Sequence, residues 1–189
     1  MTRFALILAV TAAPLAAQSK FEITPSFGAY VPNGNMIHEG NVTFALQSGI
    51  AYGVRLSINA QSRTSFEMTF DIGASRVLER DQGQPDTTWD GKVAILGLRV
   101  RHNLRPGIVT TPFLSAGFAY LNPTSVAFQS LAASGPALSF GGGLRVVTTR
   151  RLVCRLEVSN YLYPRRLHPT LSSQWHDDLL FSAGIGLVP

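Results

Sequence analysis

The chain has 189 residues, of which 46% are apolar and only 14% are charged, whereas an average soluble protein carries about 25% charged residues. The plentiful apolar residues and the small net charge of +5 exclude an intrinsically disordered chain. The single cysteine, Cys154, excludes an internal disulfide framework and a zinc site made of thiolates. The pI is about 9.9, but no run of Lys or Arg is longer than a pair, so the charge does not indicate nucleic-acid binding.

The first 17 residues have the pattern of an export signal. Arg3 precedes a short apolar run at 4–13, and small residues follow as far as Ala17. The run is shorter than the roughly 18 apolar residues of a membrane-spanning helix, and no later stretch reaches that length. We therefore expect a signal peptide at 1–17 and a mature domain at 18–189. A buried N-terminal helix is the alternative interpretation of 1–17. If the mature domain enters a membrane, it does so as strands.

Apolar and polar residues alternate with a period of two along the mature chain. In the clearest segment, Glu67 stands between the apolar Phe66 and Met68. Successive side chains of a strand point to opposite faces, so each segment has one apolar face and one polar or small face. Pro25 has no N–H for a ladder, and we expect a bulge or an early strand start there. The predicted strands, in chain order, are 20–30, 43–58, 64–77, 92–103, 110–121, 137–148, 152–163 and 178–188.

The connections between these strands alternate in length. Short connections are predicted at 59–63, 104–109 and 149–151, and long ones at 31–42, 78–91, 122–136 and 164–177. Transmembrane barrels have an even number of strands, short periplasmic turns and longer external loops. A tilted strand of about 9–11 residues crosses a bilayer. The pattern predicts an all-β fold, an eight-stranded antiparallel up-and-down transmembrane β-barrel whose first connection is external.

The charged residues of the strands share one face with glycine and serine. An eight-stranded lumen is narrow enough for side chains to fill it, and charges buried there need partners. The five positive and four negative charges are nearly balanced, as a closed polar core requires, and we expect a lumen filled by paired side chains to be closed or nearly so. A soluble periplasmic barrel of the lipocalin kind, which turns this face to water, is the alternative. The predicted lumen residues are Glu22, Arg55, Glu67, Asp71, Arg99, Arg101, Arg145, Arg155 and Glu157.

Aromatic residues cluster near the predicted strand ends. Membrane barrels carry aromatic girdles at both interfaces of the bilayer, so this placement supports a membrane barrel. The predicted external girdle is Tyr30, Trp89, Tyr120, Tyr163 and Trp175. The predicted periplasmic girdle is Phe21, Phe66 and Phe113.

On this topology and patterning, residues 19–189 resemble the small eight-stranded outer-membrane barrels of the OmpA membrane-domain and OmpX kind. Residues 177–188 resemble a closing strand of that family, although Pro189 stands where such barrels commonly present a final aromatic residue to the assembly machinery. The resemblance implies a monomer in the outer membrane of a Gram-negative-type bacterium. We expect no peptidoglycan-binding domain after the barrel. The implied partners are outer-membrane lipid, lipopolysaccharide and the barrel-assembly machinery.

The resemblance implies a structural or surface-interaction role or, in some relatives, catalysis on lipid. His176 adjoins Asp177 and Asp178, with Ser172 and Ser173 nearby, but adjacency alone makes neither a catalytic triad nor a metal site. The His-x-Ser-Asn stretch of barrel deacylases does not occur in the sequence. We therefore expect a non-catalytic protein without a cofactor or metal. A barrel enzyme that modifies outer-membrane lipid is the alternative.

Two further positions carry hypotheses. Arg165 and Arg166 follow Tyr163 at the predicted outer rim, and guanidinium groups bind phosphate well. We expect these two arginines to contact the phosphates of lipopolysaccharide. Cys154 lies on the apolar face of its strand, so we expect it to face lipid.

Overall fold

The computed structural model describes residues 21–33, 37–39, 42–58, 63–81, 85–106, 109–124, 134–149, 151–165 and 174–189. The predicted signal peptide lies outside these residues. Among the described residues, there is no helix long and apolar enough to cross a bilayer. The strands are β1 (Phe21–Asn33), β2 (Ile37–Glu39), β3 (Val42–Gln47), β4 (Gly49–Ile58), β5 (Thr64–Asp81), β6 (Thr87–Asn103), β7 (Thr110–Pro123), β8 (Gly135–Val147), β9 (Leu152–Arg165) and β10 (Gln174–Leu187).

Antiparallel pairing joins the strands into a closed barrel. β1 pairs with β4 on one side and with β10 on the other, and the pairing of β5 with β6 closes the sheet. β3 and β4 both pair with β5 and together make one strand of the wall, so eight strands surround the lumen and the predicted fold is confirmed. When the paired residues are followed once around the barrel, the path returns to β1 about ten residues away from its starting residue. Such a stagger accompanies the strand tilt of roughly 35–45° in barrels of this kind.

The second predicted strand, 43–58, is interrupted by a β-bulge at Ser48. Gln47 pairs with Arg76, and Ala51 pairs with Gly73. The three residues 48–50 between Gln47 and Ala51 therefore oppose only the two residues 74–75 of β5. The extra residue shifts the register by one and bends the wall. The prediction of one uninterrupted strand is therefore wrong at this point.

Pro25 lies inside β1, opposite Val54 of β4. Pairing with β10 holds at Ile23, is interrupted at Pro25 and resumes in the same register at Ser26. The expected bulge is wrong, because no residue is inserted. The ladder skips the position where proline lacks its N–H.

Several strands continue into segments predicted as loops. The sequence predicted loops at 31–42, 78–91 and 164–177 because these segments are rich in polar residues and break the alternation. Strand pairing satisfies the backbone N–H and C=O groups even where both faces of a strand contact water. The strands therefore extend beyond the apolar part of the wall. The short β2 lies within the predicted loop 31–42. The strand ends inside predicted loops are Asn33, Asp81, Thr87, Arg165 and Gln174.

The two ends of the barrel carry different connections. The segments 59–63, 104–109 and 148–151 join strands at one end, which we call the turn end. The opposite end, where the longer connections lie, is called the loop end. Residues at the start of β1, β5, β7 and β9 therefore lie near the turn end, and residues at the end of these strands lie near the loop end.

The outer wall is apolar, and this polarity distinguishes a membrane barrel from a soluble one. Ile50 and Phe118 are each 70% exposed on the outside, although both are large apolar side chains. A soluble monomer rarely exposes so wide an apolar surface, whereas membrane barrels carry such a band. The lipocalin-like alternative is thereby excluded. The apolar belt includes Phe27, Ile50, Phe70, Leu98, Phe118, Leu144, Leu156, Phe181 and Ile185.

Candidate functional site: the filled lumen

The lumen is filled by two groups of side chains stacked along the barrel axis. The charged half lies toward the turn end, and all nine residues that the sequence predicted for the lumen are buried in it: Glu22, Arg55, Glu67, Asp71, Arg99, Arg101, Arg145, Arg155 and Glu157. The apolar half lies toward the loop end and consists of Tyr30, Ala51, Val93, Ile95, Ala119, Leu121, Ala137, Tyr161, Tyr163 and Leu180.

Glu67 of β5 is at the centre of the charged half. Its two carboxylate oxygens accept hydrogen bonds from Nη1 and Nη2 of Arg155, at 2.5 and 2.9 Å. Arg101 donates at 2.8 Å, and Nη2 of Arg99 lies 3.5 Å from the same carboxylate. The Ser57 hydroxyl donates at 2.9 Å. One glutamate therefore joins guanidinium groups from two other strands, β6 and β9.

Glu157 of β9 is a second acceptor for three arginines. Its oxygens lie 2.7 Å from Arg99, 2.8 Å from Arg155 and 3.1 Å from Arg55. The Ser159 hydroxyl donates to it at 2.9 Å. Because Arg99 and Arg155 contact both glutamates, Glu67 and Glu157 belong to one continuous network.

Two more carboxylates extend this network toward the walls. Glu22 of β1 accepts hydrogen bonds from Nε and Nη2 of Arg145, at 3.0 and 2.9 Å, and lies 3.9 Å from Arg101. Asp71 lies 3.8 Å from Arg55. Each of the nine charges thus has an opposite charge within 4 Å, which offsets the cost of burying it.

Phe113 of β7 lies inside the barrel and not in the periplasmic girdle, so that prediction is wrong. It is 1% exposed, and its ring lies 4.4 Å from the guanidinium carbon of Arg155 and 5.7 Å from that of Arg101. The ring face attracts these cations. The period-two alternation of β7 indicates this inward position. Phe113 lies two residues from the inward-facing Ser115 and next to the outward-facing Leu114.

Tyr30 and Tyr163 also lie inside the barrel, so their assignment to the external girdle is wrong. Both hydroxyls donate to Oδ2 of Asp178, with an oxygen–oxygen distance of 2.8 Å for Tyr163. Asp178 is 1% exposed and was not predicted as a lumen residue. The alternation again held the signal, because Tyr30 has the parity of Glu22 on β1.

The other three members of the predicted external girdle are exposed near the loop end: Trp89, Tyr120 and Trp175. Among the phenylalanines predicted for the periplasmic girdle, Phe66 is 59% exposed on the outer wall. Cys154 is exposed and lies opposite Ile185 of the belt. The side chains of Arg165 and Arg166 lie outside the described residues, so their contact with lipopolysaccharide stays a prediction.

The candidate chemical groups on β10 alternate between the two faces of the strand. His176 and Asp178 are buried in the lumen, whereas Asp177 accepts a hydrogen bond from the Asn33 amide at 3.1 Å. Ser172 and Ser173 lie outside the described residues. Within the described part of the chain, no three His, Cys, Asp or Glu side chains form a group that could hold a metal ion.

No protein-family profile matches the chain, and no curated protein is similar to it in sequence. Solved structures match its fold at low identity. The outer membrane protein OprG from Pseudomonas aeruginosa has a TM-score of 0.65 at 12% identity, covering 89% of this chain and 95% of OprG. Neisserial surface protein A has a TM-score of 0.56 at 10% identity, covering 89% of this chain and 97% of its own.

The outer membrane protein AlkL, solved in lipid bilayers, has a TM-score of 0.51 at 13% identity, with 91% of this chain and 90% of AlkL covered. At these identities the likeness establishes the fold alone. The polarity of the wall is the reverse of that in a soluble barrel, because the apolar belt faces outward and the charges face the lumen. This observation supports the same fold independently. This chain therefore has the fold of the small eight-stranded outer-membrane β-barrels.

Proposed function

We propose that this chain is a closed, non-catalytic outer-membrane barrel with a structural or surface-interaction role. The observation that carries the proposal is the contact of Glu67 with Arg155 across the lumen. β5 and β9 stand on opposite sides of the wall, and their side chains meet at 2.5 Å. A lumen filled by side chains in this way favours a structural role in the membrane over the role of a pore.

The proposal of a non-catalytic role is supported by the surroundings of the candidate acid. The carboxylate of Asp178 accepts hydrogen bonds from two tyrosines in the lumen. A lipid substrate lies outside the wall, where the belt presents apolar side chains. This arrangement keeps Asp178 and the buried His176 away from a lipid ester.

The surface-interaction role is supported by the strands that extend beyond the belt. β5 and β6 remain paired as far as Glu79 and Thr87, so this part of the wall extends beyond the belt toward the loop end. We further propose that the barrel is a monomer, assembled by the barrel-assembly machinery, and that it contacts lipopolysaccharide.

The test combines a strain lacking the protein with one that overproduces it. We expect the deletion strain to show increased sensitivity to detergents, reversed by a plasmid-borne copy. We expect the mass spectrum of outer-membrane lipid to be the same with and without overproduction. A lipid mass shift that depends on the protein would contradict the non-catalytic role and support the enzyme alternative.

A further inference from the structure

A cleft of about 400 Å³ opens on the outer wall near the loop end of the apolar belt. The cleft lies beside the bulge at Ser48, where β4, β5 and β6 are neighbours in the wall. Gly49 approaches β5 so closely that a Cβ at this position would lie 2.0 Å from the Ala74 carbonyl oxygen. The Ser75 hydroxyl donates to the Gln47 carbonyl at 2.5 Å and fixes the bulge from the lumen side.

Two cationic side chains stand at the edge of this cleft. Arg76 of β5 and Lys92 of β6 are outward-facing and exposed, and each is one outward position nearer the loop end than Ala74 and Ala94 of the same strands. Ala74 pairs with Lys92 and Arg76 pairs with Asp90, so the two cations are diagonal neighbours. Diagonal Cβ atoms lie roughly 7–8 Å apart, a spacing that lets both long side chains reach one anion.

The charges of the cleft favour an anion even though Asp90 is present. Nε of Arg76 lies 3.5 Å from Oδ1 of Asp90. This contact uses one side of the guanidinium group, which has five N–H donors in a planar fork. With Lys92, the site has two positive charges against one negative charge.

We propose that this cleft binds the phosphate of a phosphorylated glycolipid in the external leaflet. Arg76 and Lys92 bind the phosphate, and an acyl chain of the same lipid lies along the exposed Ile50 and Tyr52 below them. The position of the site along the barrel axis favours a lipid over a soluble anion. The two cations lie on the loop-end side of the apolar belt, where the headgroups of lipids begin. The inference gives a site to the proposed contact with lipopolysaccharide and rests on that proposed function, with the loop end of the barrel facing outward.

The experiment uses the folded barrel in maltoside micelles, a detergent without phosphate. The micelles contain either diphosphorylated lipid A or the same lipid A without its phosphates. Native mass spectrometry measures the fraction of barrels that retain each lipid. The variants are R76Q/K92Q, the charge-conserving R76K/K92R, and R105Q/R151Q, which removes two exposed arginines at the turn end.

We expect the wild-type barrel to retain the phosphorylated lipid at least about five-fold more than the dephosphorylated one, or about 1 kcal/mol. R76Q/K92Q should lose this preference, whereas R76K/K92R and R105Q/R151Q should keep it. The proposal is overturned if R76Q/K92Q keeps the preference or if millimolar inorganic phosphate abolishes it. The electrophoretic shift on boiling checks the fold of each variant, so failure of the site is distinguishable from failure of the barrel itself.

Discussion

The charged half and the apolar half of the lumen fill the same barrel by different means. In the charged half, Glu67 and Glu157 hold arginines from β4, β6 and β9 in one network. In the apolar half, side chains such as Ile95 and Leu180 pack together, and the polar contacts include two tyrosine hydroxyls that donate to Asp178.

The two halves therefore differ in what one substitution removes. A buried ion pair contributes little net stability, but loss of one partner leaves an uncompensated charge and is strongly destabilising. A tyrosine hydroxyl is neutral, and its loss costs one hydrogen bond. We therefore expect loss of one charge in the charged half to cost more than loss of one tyrosine hydroxyl in the apolar half, although the side chains of both halves are buried.

The largest effect is expected for E67Q. The substitution removes the negative charge shared by Arg99, Arg101 and Arg155, and we expect it to lower the free energy of unfolding by about 3–5 kcal/mol. Urea unfolding in lipid vesicles, followed by tryptophan fluorescence, measures the change. D90N, at an exposed carboxylate, is the matched control and should change stability by less than about 0.5 kcal/mol. Equal effects of the two variants would contradict the central place of Glu67.

The second prediction concerns the pair that joins the network to the wall. E22Q and R145Q should each be destabilising, and the double variant should be less destabilised than their sum because the Glu22–Arg145 contact is lost only once. We expect a coupling free energy of about 1–3 kcal/mol. The same urea titrations provide it, and additive effects would show that the two hydrogen bonds at 2.9 and 3.0 Å do not stabilise the barrel.

The smallest effect is expected in the apolar half. Y163F removes one hydroxyl donor to the Asp178 carboxylate and leaves the ring in place, so we expect a loss of about 1.5–3 kcal/mol, the range for a hydrogen bond to a charged group. Y120F, at an exposed tyrosine on the same end of the barrel, is the control and should be close to neutral. A Y163F effect as large as that of E67Q would remove the contrast between the two halves.

Strand alternation explains how much of this site could be predicted. A period of two fixes the face of each residue once a strand is recognised, and this rule placed Glu22, Arg99 and Glu157 in the lumen. The same rule assigns Tyr30 and Phe113 to the lumen. Both residues lie near strand ends, where aromatic side chains are typical of girdles, and position along a strand does not determine which face a side chain occupies.

Other features could not be predicted from one sequence. The contact of Glu67 with Arg155 depends on the stagger of strands around the closed barrel, which brings residues 88 positions apart into contact. The sequence signal at the bulge is the Ser48-Gly49 dipeptide, and a glycine inside a strand indicates either a bulge or a close backbone approach without distinguishing the two. Strand ends such as Asp81 lie in polar segments, where the period-two pattern carries no information about pairing.

Conductance across a planar lipid bilayer tests the central claim that the charged half closes the lumen. Wild-type protein, inserted at neutral pH, is expected to give no steady channel current above the baseline of the bilayer. An unrelated open barrel of larger diameter serves as the positive control for insertion and detection. Large, stable single-channel currents from the wild-type barrel would contradict the account.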